Sequence, residues 1–378
     1  MQNWIIKGGT CLLPSGLETT DIGIKDGQLY RDSLEDAQVF DASDYLVLPG
    51  IVDAHGDGFE RVVNPRPNVH FPLPLALQEA DSQLIANGIT TAFHGLSASW
   101  EPGLRSVETG RQFLAALSET RDLLACDTHI NLRWELFCLD HLDEIETWLE
   151  EFPTMVLSLN DHLTAYKGLD VGSTKISRLA DRAGLPPHEA IELINALSAR
   201  AGEIPAAVDR MATAAQRIGN VMFAHDELSP EQRAANKSLG VSVSEFPMTW
   251  DTARSAIRGG DSVVLGAPNV VRGGTQNNAI DAEPAIAEDL CTVLASDYYY
   301  PAQLAAAFAL VDRGTVDLGK SWALVSSGPA RAVGLSDRGE IRDGLRGDLI
   351  VLHPQTRQIR AVFVDGRKVL EREKTAQH

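Results

Sequence analysis

The chain has 378 residues, 44% of them hydrophobic and 22% charged, enough for one large α/β barrel plus a smaller domain and too many for a single small core. Its formal net charge of −19 argues against a nucleic-acid partner, because such proteins present basic faces that displace counterions from phosphate. No apolar run approaches the roughly 20 residues of a membrane helix and the N-terminus lacks a secretory pattern, so the expected ligands are small molecules and the expected location is the cytoplasm, with no membrane partner and homo-oligomerisation left open.

Residues 1–47 alternate short apolar runs with turns such as KDGQ and SDY, a strand-rich pattern too short to bury its own core. The last segment, 336–378, also reads as strands, with VDG as a hairpin turn. The two ends are therefore expected to pair into one small β-sandwich domain. Between them, residues 48–335 hold eight apolar runs, from LVLPGIVDAH through GITTAFHGL, THINLRWEL, TMVLSLNDH, NVMFAHDE, VSVSEFP and SVVLGAP to CTVLASDY. Most are followed by stretches with helical spacing, such as PLALQEADSQLIANG and PAQLAAAFALVDRG. Near-continuous apolar strands alternating with helices indicate a parallel sheet covered on its outside, and this number of units predicts a (β/α)8 TIM barrel. A largely helical insertion, about residues 166–219, interrupts the alternation between strands four and five. Cys11, Cys126, Cys138 and Cys291 show no CxxC spacing and read as reduced structural thiols.

In a barrel of this kind the active site is built at the C-terminal ends of the strands. Strand one ends in His55 and Asp57, strand three in Glu135, strand four in Asp161 and His162, strand five in His225, Asp226 and Glu227, strand six in Glu245 and strand eight in Asp297. Singly, each has an ordinary reading: a strand-end histidine is more often a hydrogen-bonded structural residue than a ligand, and a strand-end carboxylate often caps the next helix. Capping alone would account for Asp226 and Glu245. Together, several strands ending in His or a carboxylate converge on one small volume, where unpaired like charges are expensive and divalent cations relieve the conflict.

His55 and Asp57 are two apart and share a face, a pincer for one ion. Glu135 can bridge two ions, His162 and His225 can hold the second, and Asp297 can contact an ion and a water at once. Two such ions lower the pKa of a bridging water toward neutrality and polarise the bond under attack, with Asp297 as proton acceptor. Imidazole and carboxylate ligands suit zinc, manganese, iron and nickel alike. Two loops add basic character. GAPNVVRGGTQNN, with Arg272, Gly273 and Gly274, suits anion binding by backbone N–H groups and a guanidinium. FERVVNPRPNVHFP brings Arg61 and Arg66 toward the same end of the barrel.

The chain resembles the amidohydrolase superfamily through LPGIVDAHGD, SDY, SSGPARAVGL and GEIRDGLRGDLIVL, which span essentially its whole length. More narrowly, HGDGFERVVNPRP, LRWEL, LSLNDH, AHDE, SEFPMT, GAPNVVRGG and LASDYYYP, in that order, are similar to the α-D-ribose 1-methylphosphonate 5-triphosphate diphosphatase family of phosphonate metabolism. That family carries a histidine and an aspartate at the end of strand one, as His55 and Asp57 do. The resemblance implies a metal-dependent hydrolase that cleaves a phosphorylated small molecule within its 5-triphosphate, releasing pyrophosphate. Carried over by position, it implies that Glu135 bridges the metals, His162 and His225 are ligands, and Asp297 serves the nucleophilic water. The family pattern reads HTDN where this chain has HGDG, and is rich in serine and histidine after RGG where this chain has TQNN. Two other readings stand beside it. One is an amidohydrolase that cleaves a C–N bond, or a paralogue with another phosphorylated substrate. The other is a barrel kept as a binding scaffold.

Overall fold

The computed structural model describes residues 2–31, 36–66, 69–275 and 279–373. Its centre is an eight-stranded parallel sheet in strict chain order, formed by β1 (Ile51–Gly56), β2 (Ile89–Ala98), β3 (Asp127–Glu135), β4 (Val156–Asn160), β5 (Met222–His225), β6 (Val243–Glu245), β7 (Ser262–Gly266) and β8 (Val293–Ala295). Parallel neighbours require a crossover on the outside, and helices such as Leu73–Ala86, Val107–Thr120, Pro230–Ser238 and Trp250–Arg258 supply it. The sheet curls into a TIM barrel, as expected.

The closing seam between β8 and β1 carries a single backbone bridge, Gly56 to Asp297. Side chains complete it. The buried Gln303 amide donates to the carbonyls of Val52, at 3.2 Å, and Leu294, at 2.8 Å. Asp53 accepts from the Ser296 N–H and hydroxyl at 2.9 and 2.5 Å. Burial raises the Asp53 carboxyl above its usual range, against the pull of those bonds.

Period-two alternation sorts the strand residues. On β3, Ile130, Leu132 and Trp134 join the apolar layer under the helices, while Asn131 and Arg133 reach His55 and His225 across the lumen. The lumen is graded along its length. Phe93, Val156, Phe223, Val243, Val264 and Val293 form one apolar floor together with Val333 from the segment after the barrel. Polar side chains occupy the opposite end. Burying large side chains in such a floor contributes about 1.5–3 kcal/mol each, which provides a rigid base for the costly polar end.

The run LVLPGIVDAH, read above as one strand, is two. Leu46–Pro49 pairs antiparallel with Leu349–Leu352 in the terminal sheet, and the barrel strand starts at Ile51. Hydrogen bonding to the C-terminal segment captures the first half of the run, which apolar character alone cannot reveal. That second sheet joins Trp4–Leu13, Gly16–Lys25, Gln28–Tyr30 and Gln38–Asp41 to Leu349–Leu352, Ile359–Val364 and Arg367–Glu371. Its faces close on a core of their own, with the Phe363 ring edge-on to Trp4 at 5.6 Å and to Phe40 at 5.7 Å. The VDG turn is present: Asp365 and Gly366 both adopt positive φ between the last two strands.

Between β4 and β5, Thr174–Ala183 and Pro187–Ser198 pack on each other. Arg182 ties them to the loop after β2 through two bonds to buried Glu101, at 2.7 and 2.8 Å. Ile204–Ile218 instead joins the barrel's outer apolar layer. No helix among the described residues is long and apolar enough to cross a membrane.

Candidate active site and metal centre

Three strands end in a kink that turns a side chain toward the lumen. Asp226 and Phe246, one residue past β5 and β6, and Asp297, two past β8, all have φ between 53° and 56°, a region that costs a non-glycine residue about 1–3 kcal/mol. Each donates its N–H to the neighbouring strand, Asp226 to Glu245, Phe246 to Val264 and Asp297 to His55, at 2.9–3.0 Å. The sheet's hydrogen bonding thus holds the kinks in place.

Two triplets of donor atoms result. His55, Asp57 and Asp297 form one, and His162, His225 and Asp226 the other, with the donor atoms of each triplet within 4.8 Å of one another. In the first, His55 donates Nδ1–H to Glu245 Oε1 at 2.8 Å, leaving its Nε2 for a ligand. Glu245 also accepts from Asn131 at 3.0 Å and Ser158 at 2.9 Å. Burial opposes the charge on Glu245, but His55 and its hydrogen bond hold the carboxyl down to about 2. A histidine fixed by a carboxylate behind it is the usual support of a metal ligand. Asp297 is different: burial and the charge of Asp57 push its carboxyl up to about 6.

In the second triplet, Glu135 holds His162 from both sides, accepting from its main-chain N–H at 3.1 Å and contacting its Nδ1. His225 is buried and held well below the usual imidazole range, by burial first and then by Arg133. Its Nδ1 has no hydrogen-bond partner and lies 3.5 Å from Asp226 Oδ1. An orphaned buried imidazole nitrogen beside a carboxylate is a donor set that suits a divalent cation. Asp161 lies apart from both triplets and caps the next turn through Thr164.

The basic loops reach this end unequally. The Arg61 guanidinium sits 5.6 Å from the centre of the Tyr298 ring, and Arg272 donates to the Tyr298 hydroxyl at 3.2 Å. Tyr298 borders a cavity of about 290 Å³ that Asp226 and Asp297 also line. It borders as well a larger groove of about 720 Å³ along Leu73–Ala86, which none of the triplet residues line; the smaller cavity is the one at the chemistry. Arg66 is exposed and bridges to Val69 outside both linings. The expected anion-binding role of the Gly273 and Gly274 N–H groups is not what this conformation offers. Both donate to the Asn269 carbonyl, at 3.0 and 3.1 Å, because Gly273 takes the left-handed conformation that ends the helix Ala267–Arg272. Pro67 and Asn68 of the first loop and Gln276–Asn278 of the second lie outside the described residues.

No family model matches the chain. It is 28% identical to the α-D-ribose 1-methylphosphonate 5-triphosphate diphosphatase of Escherichia coli, over 97% of this chain and 100% of that protein. Among solved structures, molinate hydrolase aligns at a TM-score of 0.64 with 13% identity, covering 100% of this chain and 99% of that one. Dihydropyrimidinase from Brevibacillus agri aligns at 0.62 with 13% identity over 98% and 95%. The chain thus shares the fold of these hydrolases and full-length similarity with the diphosphatase. The site contains more than strand-end reading found. Capping does not account for Glu245 or Asp226: Glu245 orients His55, and Asp226 completes the second triplet. Asn131, Arg133 and Ser158 were missed, although His129, Asn131, Arg133 and Glu135 form a polar stripe of period two along an otherwise apolar strand, a signal present in the sequence.

Proposed function

We propose that this chain is an amidohydrolase-superfamily enzyme that hydrolyses a phosphoanhydride bond, taking α-D-ribose 1-methylphosphonate 5-triphosphate to the 5-phosphate and pyrophosphate. The observation that carries this reading is the meeting of Arg61 and Arg272 at Tyr298, beside the cavity that Asp226 and Asp297 line. A neutral amide needs no such pair of guanidiniums, whereas a polyphosphate does. The full-length similarity to the Escherichia coli enzyme supports the choice of substrate.

His55, Asp57 and Asp297 would hold one divalent cation and His162, His225 and Asp226 a second, with Glu135 orienting His162 from behind. Bound there, the cations supply Lewis acidity, polarising the phosphoryl group and acidifying a water so that it attacks near neutral pH. The chain's own groups do the rest. Glu245 fixes the His55 tautomer through the bond to Nδ1. Asp297, at the edge of the first triplet and lining the cavity, takes the proton from the attacking water and can return it to the leaving pyrophosphate. Arg61 and Arg272, both held at Tyr298 beside the cavity, neutralise the triphosphate.

Incubation of the metal-loaded protein with the ribosyl triphosphate should release pyrophosphate stoichiometrically with the 5-phosphate. Absence of turnover with cation demonstrably bound, or turnover of hydantoin and dihydropyrimidine substrates instead, would overturn the reading.

A further inference from the structure

Arg133 stands between the two ligand triplets. Its Nη1 lies 3.7 Å from Asp57 Oδ2, in the first triplet. Its Nη2 donates to His225 Nε2, in the second, at 3.1 Å. The residue is 5% exposed, and its Nε has no hydrogen-bond partner. A guanidinium does not lose its proton in proteins, so this is a fixed positive charge in a water-poor basin. A buried arginine hydrogen-bonded to a neutral imidazole while its Nε goes unpaired is not an arrangement optimised for stability. The carboxylates of Asp57, Glu135, Asp226, Glu245 and Asp297 around the two triplets give it an electrostatic reason to be there.

We propose that Arg133 is an internal counter-cation that sets the order in which divalent ions enter, so that the two triplets load unequally. The inference rests on the metal reading above. The first triplet has two carboxylates and a histidine already oriented by Glu245. The second has one carboxylate, and a cation bound there must either take the His225 Nε2 lone pair from Arg133 or bind at Nδ1 against the repulsion of a guanidinium on the same ring. The first site therefore fills before the second, and Arg133 is a positioning residue that tunes the second affinity.

The test is stepwise titration of metal-free protein with Zn²⁺ and, separately, Mn²⁺, using competing chelators for affinity, metal analysis for stoichiometry, and melting curves of the metal-free and loaded forms. Wild type should bind two ions, the second more weakly. Arg133→Met, which keeps bulk and removes charge, should tighten the second step by roughly tenfold or more while changing the first less, and Arg133→Lys should return it toward wild type. The metal-free Arg133→Met protein should melt below metal-free wild type, and loading should close that gap. Equal second-step affinities in wild type and Arg133→Met would overturn the proposal, as would an equal loss of melting temperature in both forms, which marks a merely structural arginine. Absence of bound cation in wild type and both variants would overturn the metal reading and this inference with it.

Discussion

The two ends of the barrel handle buried charge in opposite ways. At the N-terminal end of β3, Asp127 accepts from Arg338 at 2.6 Å and pairs with Arg346 and His129 at 3.2 Å each. Arg338 also bonds Thr91, at 2.7 Å, and Arg346 reaches Asp348 at 3.1 Å. Each carboxylate there has its arginine within the chain. At the C-terminal end, the carboxylates of Asp57, Glu135, Asp226, Glu245 and Asp297 gather at the two triplets with Arg133 between them. The closed cluster clamps the segment after the barrel onto its floor. The open one leaves negative charge uncompensated at the end where TIM barrels carry chemistry, and cations from solution are what it calls for.

The contrast breaks most sharply at the open end. His55→Ala should abolish hydrolysis and weaken metal binding. Asp297→Asn should lower turnover by roughly 10³-fold while retaining most of the metal, since His55 and Asp57 remain. Pyrophosphate release and metal content, measured on the same samples, check both. Equal metal loss in the two variants would remove the distinct proton-transfer role assigned to Asp297.

How much of this was legible in the sequence follows from what each residue depends on. The barrel strands and their polar ends depend on local pattern, and they were readable. Glu245 and Asp226 depend on convergence: β6 is only Val243–Glu245, too short for its alternation to show a face, and a left-handed kink at Asp226 has no signature separable from an ordinary cap. Arg133 belonged to a visible polar stripe. What that stripe meets across the lumen is set by the stagger of strands, not by its own spacing. Gly273 and Gly274 misled for the opposite reason, since the features that make glycine N–H groups available to anions also make glycine the natural end of a helix.

At the closed end the expected effect is on stability. Burial disfavours the charge of Asp127, yet His129, Arg338 and Arg346 hold its carboxyl well below the usual range. A depressed folded pKa contributes stability that is present above the unfolded value of roughly 3.9 and is lost as pH falls from there toward the folded value. Asp127→Asn should therefore cost about 3 kcal/mol near neutral pH, leaving Arg338 and Arg346 short of a partner. The gap to wild type should narrow as pH drops below about 4. Denaturant unfolding across that range checks it, and a gap that stays constant would place the contribution in packing rather than charge. Turnover at neutral pH should be unchanged, which is the sense in which the two ends are separable.

The smallest effect tests why the open end reads HGDG and not HTDN. A Cβ on Gly56 would lie 2.6 Å from Asp53 Oδ2 and 2.9 Å from Ser296 Oγ, the pair that stitches the barrel seam, so a threonine there would force the seam apart. A Cβ on Gly58 would meet the Tyr300 ring at 3.1–3.3 Å, a softer conflict with a buried aromatic that can yield by a few tenths of an ångström. The third tyrosine of LASDYYYP thus fills space that larger residues would claim at both positions, and the glycines and Tyr300 form one packing unit behind the His55–Asp57 pincer. Gly58→Ala should cost about 1–2 kcal/mol by overpacking with little change in metal affinity. Adding Tyr300→Leu to Gly58→Ala should cost less than Tyr300→Leu costs in wild type, a coupling of about 0.5–1 kcal/mol in a double-mutant cycle. Strict additivity would separate the two positions and leave the glycines to be explained by the substrate side of the pincer instead.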